Sequence, residues 1–368
     1  MPTVKAAVVQ KSNEPFQIEE LTLGDPRDDE VLVRVVSSGL CHTDLICRDQ
    51  WFPVPLPSVF GHEGAGVVEA VGRNVTKVRP GDHVVMSVMS CGTCPTCAIG
   101  KPTYCHSAFP LNFGGGRLDG STALSDNGTT IHSHFFGQSS LASHSIAYER
   151  NVVKVDPEVD LRLLGPLGCG IQTGFGGVVN SLHPEAGSSI ALFGVGSVGL
   201  AAVIGAHLAG CATIIAVDLK DSRLEKARLL GATHVINAGA VDNVAEAIRD
   251  ITGGGANYSL EMTANPAVFR TAVECLAPLG TCGLIGASAL GTEVTFDMNS
   301  ILIGGRTVRG LLEGDSVLDV FIPKMVEFVK QGRLPVAELV SFYGLDQINE
   351  AAADAESGAA IKPVFYFS

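Results

Sequence analysis

The rhythm of apolar and polar positions changes once along this 368-residue chain. Up to about residue 170, short apolar segments such as VLVRVVSSG (31–39), GAGVVEAVG (64–72) and DHVVMSVM (82–89) stand between Gly, Pro and Asp turn signals, which predicts short β-strands. Residues 110–140, rich in Gly, Ser, Thr and Asn, predict a long irregular excursion over the surface. From about 171, continuous apolar runs alternate with helical periodicity. SSIALF (188–193), TIIAVD (213–218), THVINA (233–238), YSLEMT (258–263) and TCGLIGA (281–287) predict strands. LAAVIGAHLAG (200–210), SRLEKARLLGA (222–232), VAEAIRDIT (244–252) and AVFRTAVECLAPLG (267–280) predict the helices between them. Strand and helix in turn imply parallel βαβ units with helices on both faces of one sheet, an α/β architecture. After about 312, the helix VFIPKMVEFVKQG precedes a strand-like ending, IKPVFYFS. There is no internal repeat.

Length and composition sharpen this picture. The chain exceeds the size at which one core stops growing, so two domains are expected. Hydrophobic residues at 46% and charged residues at 17% describe a well-cored globular protein. A net charge of −13 argues against nucleic acid and anionic membrane as partners, since both need a basic surface. Ser188 to Val217 contains no Asp, Glu, Lys or Arg, long enough on its face for a membrane span. Its interruption by GVGSVG instead predicts strand, glycine turn and buried helix. The N-terminal MPTVKAAVVQKSNEPF lacks the apolar run and cleavage site of a signal peptide, so a soluble, cytoplasmic protein is expected.

GVGSVG (194–199) fits G-x-G-x-x-G, which alone is weak. Its context strengthens it: a strand precedes, a helix follows, and a second strand ends in Asp218, nineteen residues after Gly199. Gly194 permits the tight turn, Gly196 lets the backbone approach a pyrophosphate, and Gly199 lets helix and strand pack closely. The phosphates then meet the positive end of the helix. Asp218 would accept hydrogen bonds from the ribose hydroxyls and repel a 2′-phosphate, which favours NAD over NADP, although Lys220 and Arg223 lie close by. The competing reading is a glycine turn with no ligand.

Ten cysteines are present, and four fall within fifteen residues: CGTCPTCAIGKPTYC places Cys91, Cys94, Cys97 and Cys105 at spacings of three, three and eight. In a reducing compartment such a cluster is a metal site more often than a disulfide framework. Four thiolates complete a tetrahedral Zn²⁺ and leave no position for substrate, so a structural site is expected over about 91–105. An iron–sulfur cluster is the alternative. Three further segments carry Cys41 (GLCHTD), His62 (FGHEGAG) and Cys169 (LGCGIQTG). Each alone is weak, because lone cysteines and histidines are usually structural. Together they offer two thiolates and an imidazole.

Over essentially its whole length the chain resembles the zinc-dependent medium-chain alcohol dehydrogenases. GHEGAGVVEAVG, the four-cysteine lobe, LGCGIQTGFG and GVGSVGL occur in that family's order and spacing. A Cys₂His set is already known for the catalytic zinc of alcohol dehydrogenases, so that match is recognition. The resemblance implies a mainly β, GroES-like catalytic domain over 1–170, a Rossmann NAD-binding domain over 171–312, and a return to the catalytic domain over 313–368. It also implies two zinc ions per chain: a catalytic one on Cys41, His62 and Cys169, and a structural one in the lobe. Glu63 becomes the carboxylate able to exchange onto the catalytic metal, Asp44 the orienting partner of His62, and Thr43 the hydroxyl that takes the substrate's proton. His42 and Lys362 match contacts to the cofactor pyrophosphate, and Thr173 and Val198 match further cofactor positions. A homo-oligomer, dimer or tetramer, is implied, with cofactor domains pairing along a sheet edge.

The chain also departs from the family pattern. Where many members complete a proton relay with histidine, it has Ile46; the proton must then stop at Thr43 and the ribose, use water, or leave by another path. Ser87 replaces a common aromatic residue and is expected to widen the pocket. Phe109 stands where glutathione-dependent formaldehyde dehydrogenases carry an arginine, which counts against S-hydroxymethylglutathione as substrate. Phe109 and Trp51 either line an apolar site or pack ordinarily. The FPLNFGGGRLDGSTALS excursion looks like that of aryl-alcohol and allylic terpene-alcohol dehydrogenases. Oxidation of a primary aromatic or allylic alcohol is therefore expected. The alternatives are the formaldehyde-detoxifying subgroup, a broad-specificity alcohol dehydrogenase, and a non-catalytic cofactor-binding protein on the same fold.

Overall fold

The computed structural model describes residues 3–367, so the final Ser368 of IKPVFYFS lies outside the described residues. The chain forms two compact units, one from the segments ending at Gly170 and resuming at Ser316, the other Ile171–Asp315. The return thus comes at Ser316, where the sequence reading puts it at 313.

The first unit is built on two sheets. One has five strands in the order Ser58–Val59, Thr3–Val9, Gln17–Leu23, Leu124–Asp126 and Thr129–Ile131. In the other, the strand Glu30–Gly39 pairs antiparallel with Gly64–Val71, with His144–Tyr148 and with the C-terminal strand Lys362–Tyr366. Alternating burial along Glu30–Gly39 turns Val31, Val33 and Val35 into a core with Val68, Val84 and Met86. The pairing Val364↔Gly39 brings Lys362 beside Leu40, more than three hundred residues away in sequence.

The Gly/Ser-rich segment is the surface excursion expected only over its middle, where residues 118–122 and 125–130 are exposed or half-buried. It contains the helix Ala108–Phe113 and the hairpin Leu124–Ile131, and its end is interior: Phe135, Gln138, Ser139 and Ser140 are buried. An ion pair holds it there. Arg117 donates from Nε and a terminal nitrogen to the two oxygens of Glu30, at 2.6 and 2.8 Å, and both residues are buried. Bidentate geometry of this kind is the strong form of the interaction. Burial works to raise the Glu30 pKa, but Arg117 and His134 outweigh it and hold the carboxyl at about 2.

The second unit carries a six-stranded parallel sheet in the order His234–Asn237, Thr213–Asp218, Ser189–Phe193, Ala256–Glu261, Leu276–Leu284 and Thr307–Gly310. This is the doubly wound order, whose ligand crevice opens at the carboxyl ends of the first strands. One predicted helix is shorter than expected. It ends at Glu274, and Leu276–Leu284, which includes the predicted helical residues LAPLG, is a strand. Pro278 supplies no backbone N–H and disfavours a helix interior, and Leu279 there takes a positive φ of 64°, which breaks helical geometry. Among the described residues no helix is long and apolar enough to cross a membrane.

Candidate metal and cofactor sites

The candidate catalytic cluster is assembled from separate turns. Cys41 precedes the short helix His42–Arg48, whose N-terminal end favours a thiolate. Asp44, fully buried in its first turn, organises three neighbours. Its Oδ2 accepts from Cys41 N–H at 2.9 Å, and its Oδ1 accepts from Gly61 N–H at 3.0 Å and lies 3.0 Å from His62 Nδ1. Gly61 has φ 95°, and a Cβ there would fall 2.3 Å from Leu141 N, so the turn presenting His62 needs glycine. Cys169 follows the 3₁₀ turn Gly165–Gly168, to whose last carbonyl Ser87 Oγ donates at 2.5 Å.

Ligand atoms of Cys41, His62, Glu63 and Cys169 all lie within 4.8 Å of one another. Contact with Cys169 holds the Cys41 thiol well below its ordinary range, against burial. With Nδ1 committed to Asp44, the other ring nitrogen of His62, Nε2, is buried without a hydrogen-bond partner. An orphaned imidazole nitrogen facing two thiols is costly in a bare protein and is what a divalent soft-ligand metal requires. The residues therefore fit zinc.

Glu63 is fully buried, and burial pushes its carboxyl up to about 7 against the pull of Lys362. Lys362 is 2% exposed and donates to both oxygens of Glu63, at 2.8 and 3.0 Å. Thr43 is half-buried with Oγ1 3.6 Å from Cys41 Sγ, and His42 is exposed. Ser87 is fully buried, and its hydroxyl braces the turn before Cys169 through the Gly168 carbonyl. Ile46 is buried; Trp51 and Phe109 are about half exposed.

The aromatic side chains closest to the cluster escaped the sequence reading. Phe136 stacks on the His62 ring at 4.4 Å and Phe135 meets it edge-on at 5.5 Å. Phe113 abuts both, and Phe52 and Phe109 stack on Phe113 at 5.8 and 5.1 Å. Consecutive phenylalanines carry no metal signal in a sequence; only the buried course of 131–141 reveals their place.

The lobe is local. The thiols of Cys91, Cys94, Cys97 and Cys105 converge, and Cys94 Sγ lies 3.4 Å from Cys97 Sγ. Backbone N–H groups of Cys94, Cys91 and Ser107 point at the sulfurs of Cys91, Cys105 and Cys105, at 3.2 to 3.4 Å. Hydrogen bonds from Thr96 and His106 bring Cys94 down to about 5, while burial, followed by the neighbouring thiols, pushes Cys97 up to about 12. Four thiols that cannot all ionise alone are a donor set completed by a cation. None of the ten cysteines forms a disulfide.

In the second unit, Gly194 takes φ 85° and Gly196 precedes the helix Ser197–Leu208. A Cβ on Gly199 would lie 2.1 Å from Gly194 O, the close packing anticipated there. Val198 backs onto Gly174, where a Cβ would lie 1.9 Å from Val198 O. A cavity of about 460 Å³ is lined by Gly194, Gly196, Asp218, Arg223, Met262 and Thr263, among others. Asp218 also ties its own surroundings together, accepting from the N–H groups of Val195, Leu219 and Lys220 at 2.8 to 3.0 Å. Thr173 donates to Glu313 Oε2 at 3.3 Å.

Residues 27–156 match the alcohol dehydrogenase GroES-like domain and residues 197–331 the zinc-binding dehydrogenase domain. A geraniol dehydrogenase of Castellaniella defragrans is 45% identical, over 99% of this chain and 98% of its own length. The crystal structure of a benzyl alcohol dehydrogenase from Acinetobacter calcoaceticus is 46% identical, with a TM-score of 0.97 over 100% of both chains. That of an alcohol dehydrogenase zinc-binding domain protein from Burkholderia ambifaria is 56% identical, with a TM-score of 0.98 over 100% of this chain and 99% of that one.

Proposed function

Because the chain belongs to the zinc-binding alcohol dehydrogenase family, and is an oxidoreductase of that type, we propose that it reversibly oxidises a primary aromatic or allylic alcohol to its aldehyde with NAD as hydride acceptor. The observation that carries the substrate class is the aromatic wall beside the metal cluster, from Phe136 on His62 outward through Phe113 to Phe52 and Phe109. Flat unsaturated groups gain from edge and face contacts with such rings beyond their area burial. Phe109 offers no cation for a glutathione carboxylate, which disfavours the formaldehyde-detoxifying alternative. The two similar proteins named for benzyl alcohol and geraniol support the same class.

In this reading Cys41, His62 and Cys169 hold a catalytic zinc, and Cys91, Cys94, Cys97 and Cys105 hold a structural one. When bound, the catalytic zinc supplies polarisation of the alcohol oxygen, lowering its pKa. Asp44 fixes His62 in the tautomer protonated at Nδ1, freeing Nε2 for the metal. With NAD bound, the nicotinamide would accept the hydride of the carbinol carbon, while Thr43 Oγ1 would take the alcohol proton and pass its own on to the ribose or to water. Gly194, Gly196 and Gly199 admit the pyrophosphate, Asp218 selects against a 2′-phosphate, and His42, Thr173 and Val198 complete the cofactor contacts. A homo-oligomer pairs along the edge strand Thr307–Gly310, flanked by the exposed Met298, Leu302 and Ile303. The protein acts in the cytoplasm.

The test is a panel of benzyl alcohol, geraniol, ethanol, and formaldehyde with glutathione, each with NAD and NADP. We expect kcat/KM for benzyl alcohol or geraniol with NAD to exceed ethanol by at least about a hundredfold, some 3 kcal/mol of pocket discrimination. Preference for ethanol, for formaldehyde with glutathione, or for NADP would refute the corresponding part.

A further inference from the structure

Lys362 is a buried cation with every donor engaged. Its ammonium has three protons, and three acceptors surround it: Glu63 Oε1 at 2.8 Å, Glu63 Oε2 at 3.0 Å and the Leu40 carbonyl at 3.1 Å. The pocket holding Glu63 is shaped around its carboxylate. A Cβ on Gly39 would fall 2.0 Å from Glu63 Oε2, and one on Gly170 would fall 3.1 Å from Oε1. Gly170 N–H donates to Oε1 at 3.0 Å. The C-terminal strand adds its own clamp, since Leu40 N–H donates to the Pro363 carbonyl at 2.9 Å.

Yet this carboxylate offers an oxygen within 4.8 Å of each ligand atom of Cys41, His62 and Cys169. It is a fourth donor at the edge of a three-donor set. A divalent metal with two thiolates and a neutral imidazole is formally neutral, and so is the Glu63–Lys362 pair. Moving the carboxylate onto the metal would leave the ammonium buried without its counterion, which costs several kcal/mol. Removing the ammonium reverses that balance. Glu63 would then keep one backbone N–H donor, in an interior where an unpaired charge is expensive, and the metal would be its nearest cation.

We propose that Lys362 is a positioning residue that holds Glu63 out of the metal's coordination sphere and so reserves the fourth position for substrate. This rests on the zinc reading of Cys41, His62 and Cys169. Burial works to lower the Lys362 pKa, but Glu63 outweighs it and keeps the ammonium charged.

The experiment uses full-length protein with Co²⁺ in place of the catalytic zinc, and reads the visible spectrum and its titration with imidazole. In Lys362→Met, the cobalt bands should shift as a carboxylate joins the metal, and imidazole affinity should fall by at least about tenfold. Adding Glu63→Gln to that variant should restore both. Glu63→Gln alone, and Lys362→Arg, should match the wild-type spectrum. A wild-type spectrum and imidazole affinity in Lys362→Met overturn the proposal, because Glu63 then takes a proton in place of the metal. A shifted spectrum in Glu63→Gln alone also overturns it, since the carboxylate was then already a ligand; this arm stands even if Lys362→Met does not fold. Loss of the zinc reading itself looks different: the wild-type protein would show no thiolate–cobalt band that disappears in Cys41→Ser.

Discussion

The two cysteine clusters are built in opposite ways. In the lobe, fifteen consecutive residues supply all four thiols, and backbone N–H groups of the same loop point at the sulfurs. In the other cluster, Cys41, His62 and Cys169 come from three turns held by a buried carboxylate, a left-handed glycine and a C-terminal lysine. The lobe closes a short loop at small entropic cost, whereas the second cluster exists only once the first unit has folded. The lobe offers four sulfurs and no open side. The assembled cluster offers three donors, one of them an orphaned nitrogen, and a nearby carboxylate.

The sharpest break of this comparison is one cysteine from each cluster. Cys41→Ser should lower kcat by at least about a thousandfold, since the polarisation lost is worth several kcal/mol, and should remove one zinc per chain while the melting temperature stays near wild type. Cys94→Ser should also remove one zinc but act first on stability, with a markedly lower melting temperature and turnover per folded molecule within a few-fold of wild type. Metal analysis beside calorimetry separates them; equal melting losses would show that both sites are structural.

Asp44→Asn probes the framework of the assembled cluster alone. Loss of a partner that orients a metal-ligating histidine typically costs about 10–100-fold in metal affinity or activity. Zinc competition with a chelator should show this loss at one site only, and loss at both would erase the contrast.

The smallest effect concerns the ion pair that holds the segment bearing Phe135 and Phe136. Glu30 sits at about 2 when folded against an ordinary value of 4.5. Its contribution is therefore fully present above about pH 4.5 and is lost as pH falls toward 2. The pair lines a solvent-open cavity of about 530 Å³, so after screening about 1–2 kcal/mol is expected. Urea midpoints of wild type and Glu30→Gln should differ at pH 6 and converge below pH 4.5; a constant gap would contradict the ion-pair origin.

Some features are legible in a chain because they are short-range. The spacing of Cys91, Cys94, Cys97 and Cys105, the glycines of GVGSVG and the alternation of apolar strand with periodic helix all operate within a few turns of backbone, where local sterics and donor spacing decide. Cys41, His62 and Cys169 were reached through family resemblance, since nothing local joins them. The 110–140 segment misled because its composition reports backbone freedom, while Arg117 and the phenylalanines that bury it act through partners far away in sequence. A residue's type says what it can donate, but strand register decides which acceptor it meets. Sequence alone determined which donors this protein has; only tertiary structure decided which were spent on one another and which remained for a metal, because burial and pairing are properties of neighbours brought together by folding.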